Sequence, residues 1–461
     1  MSTASNRNHQ KGAATLVVVM VLFFIISLVA AYTSRNMIFE QRTSANQYRS
    51  SQAFEAAEAG LEWALTQLNF GRITTTCTPS SNTADTTFRQ RYLDIDASTG
   101  KILARSITPA PAPPASPAPL TPQCVFDAST SDWNCSCPVN GAPVLNAPAG
   151  TAVAPAFRVR FVRINPLSAL PPAQPNVIRA EVVGCTRLDN ACLDFEGQGQ
   201  TNEGRVVISS LIALTGNVAS MPLAALTSRG AVALTPGGAM SVYNGASGSL
   251  GLTVQSGGII DAGIVVQTTA GTPASTSLVP NDPALNLVAA APYSASDRMF
   301  IAVFSMFRDS FRQQQGGVQK ACAVGGCSTG SATTAGDVRN LIALNPGRPI
   351  WLTDSLIVDT PGDIGSAAEP VLLVVNGDVV FNVGGVTIHG LVYTRPLAPA
   401  TNPDWVTSGS GQFSGAVVAE GGVSVGATSN LNINYNGDTL NILRGNTGTF
   451  ARVPSSWADY Q

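Results

Sequence analysis

Residues 13 to 32, AATLVVVMVLFFIISLVAAY, carry no charge, and at 1.5 Å per residue the run spans a hydrocarbon core of roughly 30 Å. Arg7, His9 and Lys11 precede it, which by the positive-inside rule keeps the N-terminus cytoplasmic and puts the rest of the chain across the membrane. The helical pattern does not stop there. No Pro or Gly falls between Ala13 and Ala59, and Phe54, Ala57, Leu61, Leu65 and Leu68 continue an apolar stripe at helical spacing. The pattern predicts one rod over residues 13–69, about 55 residues and ~80 Å long. Its first half suits lipid. Its second half sets Glu40, Arg42, Arg49, Glu55, Glu58 and Glu62 around the stripe, which suits water and one packing partner.

After Asn69 the period breaks. TTTCTPSSNTADTT reads as loop, and TPAPAPPASPAPLTP at 108–122 reads as an extended spacer or surface loop rather than a ligand for a proline-binding domain. FRVRFVRI at 157–164, followed by 177–183 and 205–214, gives the strands of an antiparallel head over 70–215. Arg158 and Arg160 alternate with Phe157, Val159 and Phe161, so with Arg163 they read as a solvated strand face rather than an anion site.

From 216 to 461 short β runs recur about every ten residues with Gly, Asn or Asp between them. Val232, Leu234, Met240 and Val242, and later Val379, Phe381, Val386 and Ile388, alternate inward. Rungs of about 15 to 25 residues predict a β-solenoid, with a β-sandwich as the alternative. Residues 296–313 interrupt them with a helical stripe of Met299, Val303, Phe307 and Phe311, for which Ser296 or Asp297 is the expected cap. The fold class is α+β: a long N-terminal helix, an antiparallel β head and a large C-terminal β-rich domain.

Composition adds limits. A formal charge of −2 with 12% charged residues, and no local basic patch, gives no electrostatic footprint for nucleic acid. All eight cysteines lie beyond the apolar run, which fits an oxidising compartment. Short loops favour Cys185 with Cys192 and Cys322 with Cys327. Cys135 and Cys137 are too close to bridge each other without strain, so they are expected to reach Cys77 and Cys124 in an order the spacing leaves open. Zinc is the weaker reading, because no CxxC pair exists and His9 and His389 are far apart.

No catalytic constellation emerges. There is no GxSxG elbow; His389, in a strand pattern, reads as a core or edge residue; GSGQFSG at 409–415 fits no phosphate loop; and NYNGD at 434–438 reads as a turn rather than a calcium loop. Asp354, Asp359, Asp363 and Asp378 fall at turns without basic sequence neighbours. The expectation is a non-enzyme without metal or cofactor.

KGAATLVVVMVLFFIISLVA and SQAFEAAEAGLEWAL resemble the leader junction and the FxAAEAGL signature of PilX-type minor pilins of the type IV pilus. The resemblance implies a leader over 1–12, cut between Gly12 and Ala13 by prepilin peptidase, N-methylation of Ala13, and a pilin helix that packs on other helices through its apolar face. Glycine at the cut lets the backbone lie close to a protease. Val17, the fifth mature residue, stands where most pilins carry Glu; PilX-like and K-type pseudopilin subunits share that lack and are placed at or near the filament tip. Implied partners are other minor pilins, the major pilin, the pilus assembly platform and a large tip adhesin. The implied location is the inner membrane, single-pass with a periplasmic C-terminal domain, then the pilus at the cell surface, with roles in assembly priming, adhesion, twitching motility or DNA uptake. The terminal FARVPSSWADYQ is similar to the family's VPGSWRD pattern, with Ser455 and Ala458 replacing its usual Gly and Arg. The rival readings are a K-type pseudopilin of a type II secretion system, a signal-anchored surface adhesin with a β-helical binding domain that keeps its leader, and a carbohydrate-active β-helix, which would show an acidic cluster on one rung face.

Overall fold

The computed structural model describes residues 11–82, 84–96, 101–107, 118–149, 154–164, 176–196, 203–245, 251–269, 271–286, 298–314, 319–321, 333–395 and 405–460. Helix α1 (Lys11–Leu68) runs unbroken for 58 residues. From Ala14 to Ser51 every residue is exposed, and burial starts at Ala53. The buried face is Ala53, Ala57, Leu61, Ala64 and Leu68, with Phe54 and Leu65 half-buried at its margins.

That face lies on a sheet built from β1 (Gln123–Asp127), β2 (Asp132–Ser136), β3 (Ala156–Val162), β4 (Val177–Cys185) and β5 (Arg205–Thr215), antiparallel in the order β5-β4-β3-β1-β2. Small residues set the approach. A Cβ on Gly184 of β4 would run into the backbone of Ala53 and Ala57. Phe157, Phe161, Ile178, Val182 and Ile208 complete the core beneath the helix. Helix α2 (Phe88–Tyr92), held by a Thr87–Gln90 capping box, adds Phe88 and Tyr92 to it.

The chain then leaves the head. β6 (Leu226–Ser228), β7 (Val232–Leu234), β8 (Ala239–Asn244), β9 (Val254–Ser256), β10 (Val265–Thr268) and β11 (Leu278–Val279) form its first part. β12 (Gln319–Ala321), β13 (Thr333–Thr334), β14 (Ile350–Leu352), β15 (Leu356–Val358), β16 (Val371–Asn376) and β17 (Val379–Phe381) follow. β18 (Val386–Arg395), β19 (Trp405–Ser408), β20 (Ser410–Ala419), β21 (Val423–Val425) and β22 (Asn430–Tyr435) end it. These strands divide into two all-parallel sheets: one runs β10-β8-β22-β20-β18-β16-β14-β12, with β6, β9 and β11 attached, and the other runs β7-β21-β19-β17-β15-β13. From β12 to β21 the chain alternates between the two sheets, and each strand pairs with one about a turn later. Ile350, Val375, Ile388, Phe413 and Ile433 fill the interior. At one corner Gly390 (φ 137°) and Gly415 (φ 144°) lie in register, and a Cβ on either would strike the backbone of the adjacent strand.

The order is permuted. β22 sits between β20 and β8, so the earliest strands extend the stack past its last one, and the chain enters the body in mid-stack. After β22, helix α6 (Gly437–Thr447) leads to β23 (Thr449–Arg452) and β24 (Ala458–Tyr460), both of which pair antiparallel with β5 of the head. The body is thus an excursion between β5 and β23. This differs from the expected 216–461 unit, because residues 449–460 complete the head sheet.

The insertion expected as one helix over 296–313 is two, α3 (Arg298–Phe304) and α4 (Arg308–Gln314). Ser305, at φ 53°, breaks the run. The break leaves Phe307 65% exposed and directs Phe300, Phe304 and Phe311 onto Trp351 and Tyr393 on the outside of the body. Ser296 and Asp297 lie outside the described residues, as do Cys322, Cys327 and most of the Pro-rich stretch. Helix α5 (Ala335–Leu344) has a Thr334–Asp337 capping box, a signal without a long apolar stripe behind it.

Candidate assembly surface

Gly12 and Ala13 lie in the first turn of α1, and Met1 to Gln10 lie outside the described residues. From there the rod is apolar on all sides: Val17 is 59% exposed and Phe23 71% exposed. The helix is long and apolar enough to cross a membrane. The Thr33 hydroxyl donates to the carbonyls of Val29 and Ala30, which leaves no polar group unsatisfied at that position.

The second half of the rod behaves otherwise. Ala57, Leu61 and Leu68, expected to pack on neighbouring helices, are buried under the chain's own head sheet. Phe54 meets Trp457 edge-on at 6.1 Å, and Glu62 pairs with Arg452. Residues 14–51 are therefore the part of the rod that the head leaves exposed.

The end of the rod is tied to both the head and the body. Asn69, directly after α1, donates to Phe450 O and accepts from Phe450 N, both at 2.8 Å, and Arg348 of the body donates to Asn69 O at 3.0 Å. Arg89 of α2 is buried without a carboxylate among its partners. It donates to Leu68 O (3.1 Å), Asn446 O (2.7 Å) and Gly448 O (2.7 Å), and its guanidinium lies over the Phe450 ring at 4.8 Å. Two helix C-termini, those of α1 and α6, thus place their unpaired carbonyls on one cation. Burial, with Arg348 nearby, lowers its pKa to about 10, which keeps it charged at neutral pH. Arg72 pairs with Glu369 at 2.8 Å across the same junction. A cleft of about 280 Å³ opens here, lined by Phe70, Arg89, Gln90, Arg348 and Glu369.

Three disulfides lie among the described residues, Cys77–Cys137, Cys124–Cys135 and Cys185–Cys192. Cys124 and Cys135 face each other across β1 and β2, and Cys77–Cys137 fastens the loop after the rod to the end of β2. Arg158 and Arg160 are not fully solvated. Arg158 donates to Gln123, and Arg160 binds Glu181 at 2.7 Å and lies over Phe195 at 4.3 Å.

His389 is on the outward side of β18, 3.5 Å from Asp363, whose turn also receives Arg339; the fold therefore supplies the basic neighbours the sequence around Asp363 lacks. NYNGD is neither a plain turn nor a cation loop: Asn436 caps α6 by accepting from Thr439 N at 3.0 Å. Among the described residues no three His, Cys, Asp or Glu converge as a metal site. Sequence reasoning missed Asn69, Arg89 and Arg348. Their partners are backbone groups up to 381 residues away, and no local pattern announces them.

The family model of the PilX N-terminal segment matches residues 11–62. The PilX-type segment takes in the exposed rod and the first turns buried in the head. Among solved structures, the chain is similar to the competence-associated pilin ComZ from Thermus thermophilus, with 12% identity over 89% of this chain and 97% of that one and a TM-score of 0.23. Among curated proteins, none matches the chain.

Proposed function

We propose that this chain is a minor pilin, made as a prepilin, cut between Gly12 and Ala13, methylated on Ala13, and assembled at or near the end of a type IV filament. The observation that carries the reading is the PilX-type segment itself, on a rod whose residues 14–51 are exposed while the rest is packed on its own head. Parallel packing of that exposed part against other minor pilins and the major pilin would be driven by close contact of apolar side chains. Val17 supports an end position. A subunit lacking a carboxylate there cannot neutralise the terminal ammonium of a neighbour, and an unpaired buried charge is costly. The body supports it as well, since a large excursion between β5 and β23 is most easily housed where subunits do not crowd on every side.

We read the body as a β-solenoid. The support is its parallel pairing, with strands alternating between two sheets and glycines stacked at a corner. We assign no catalytic role, because the charged groups at the junction cleft are engaged by backbone carbonyls and by each other.

The test is intact mass and N-terminal sequencing of the membrane protein, with and without active prepilin peptidase. A peptidase-dependent N-methylated Ala13 is the expected result. A retained Met1–Gly12 leader would make the chain an anchored surface protein instead.

A further inference from the structure

Five parallel strands of the body, β18, β20, β22, β8 and β10, lie side by side in register. Ile388, Phe413, Ile433 and Val242 point into the core, so the alternating residues point out. They form rows across the strands. Gln412, Asn432 and Ser241 follow one another in one row; Ser414, Asn434 and Tyr243 follow in the next. The rows run from Thr387 and His389 at one edge to Val265 and Gln267 at the other.

None of these ten outward positions is Asp, Glu, Lys or Arg, in a chain of which 12% is charged. The side chains of Gln412, Asn432, Asn434 and Ser241 make no hydrogen bond among the described residues, and Tyr243 is 40% exposed. The face is thus a grid of half-exposed amides and hydroxyls, of which Ser414 accepts from Asn436, repeated at the strand spacing of ~4.8 Å, about 19 Å across, with one aromatic plate.

We propose that this face binds a neutral glycan chain. Charge complementarity selects the partner: the ten positions hold no Lys or Arg for the phosphates of nucleic acid or for anionic lipid, and at the edge of the rows His389 and the nearby Arg339 are taken up by the Asp363 turn. A protein partner would call for buried aromatic or Arg anchors at its centre, and the rows hold Ser, Asn and Gln instead. A polyhydroxylated, uncharged polymer supplies both donors and acceptors to the amides and an apolar ring face to Tyr243.

The test uses the full-length protein in a detergent without a sugar head group. Calorimetry would be run with cellohexaose, chitohexaose and maltohexaose, and with polygalacturonate as the charged control. Binding to at least one neutral oligosaccharide is expected, insensitive to salt, absent for polygalacturonate, and weakened roughly tenfold or more in Tyr243→Ala and in Asn432→Ala with an unchanged melting temperature. Should Tyr243→Ala fail to fold, Gln412→Ala gives the same reading. Silence from all three neutral probes overturns the proposal, and so does binding that survives the variants. Self-association of the parent that Asn432→Lys abolishes would assign the face to a second copy, since amide ladders can also stack on themselves, and would equally overturn it.

Discussion

Asn69 and Phe450 exchange two hydrogen bonds of 2.8 Å each, the side-chain amide of one with the backbone N–H and C=O of the other. Asn69 thereby acts as one more strand partner for β23, and joins the end of the rod to a segment that returns only after the whole body has been made. Asn69→Ala strands both backbone groups in a partly buried site. Each unmade bond costs about 1–3 kcal/mol, so a loss of roughly 2–6 kcal/mol is expected in denaturant unfolding. Asn69→Asp keeps the acceptor for Phe450 N but sets a carboxylate against Phe450 O, and should fall no closer to the parent than Asn69→Ala does.

Arg89 extends the same junction. Its planar guanidinium reaches Leu68 O, Asn446 O and Gly448 O together, a fan of donors that the compact ammonium of lysine cannot reproduce. Arg89→Lys is expected to lose roughly 2 kcal/mol or more, as carbonyls at two helix ends lose their donor. Limited proteolysis should then cut the links between head and body, near 216–225 and 436–448, faster than in the parent. An unchanged cleavage pattern would mean that the clamp does not couple the two parts.

Gly184 tests how closely the rod must lie on the sheet. A side chain there meets the backbone of Ala53 and Ala57, which cannot rotate away. Gly184→Val is therefore expected to destabilise the head by at least ~1–3 kcal/mol, the usual cost of overpacking. Gly141, where nothing lies within 4 Å of an added Cβ, shows the contrast. Gly141→Ala, at φ 79°, should carry only the strain of a left-handed backbone.

The rod was legible because its signal is long: no helix breaker before Gly60 and a stripe at helical spacing. Yet the stripe was centred one residue off. Ala53 and Ala64 are buried while Phe54 and Leu65 stand at the margin, because close packing on Gly184 rewards small side chains where periodicity alone points to large ones. The alternating runs around Val379–Phe381 and Val386–Ile388 gave the strands of the body. Their pairing could not be read, because β22 lies between β20 and β8, the second of these some 190 residues earlier, and a permuted stack leaves no local trace. Helix α6 was overlooked for a related reason: its sequence, GDTLNILRGNT, buries only Leu440 and Leu443 among large apolar residues, too few for a stripe, and its cap lay inside a motif read as a turn. The junction residues were the least legible part, since Asn69 and Arg89 bind main-chain atoms whose positions only the completed fold determines.

The pH response of the head depends on Tyr92. Burial raises its hydroxyl pKa, against the opposing effect of Arg91, and its ring is fully enclosed beside Phe88. The unfolded chain sheds this proton near the ordinary tyrosine pKa of about 10, while the folded protein retains it. Between those two values the folded state holds more protons than the unfolded state, so the contribution is intact below about pH 10 and is lost as pH rises beyond it. Tyr92→Phe removes this term and leaves the buried arginines in place, which makes the difference between parent and variant the informative quantity. That difference should be constant from neutral pH to about pH 10 and should then move steadily in favour of Tyr92→Phe, as measured by denaturant unfolding at each pH. A difference that stays flat through pH 11 would mean that the Tyr92 hydroxyl titrates alike in both states, and that its enclosure by Phe88 and the rod is looser than the packing of the head implies.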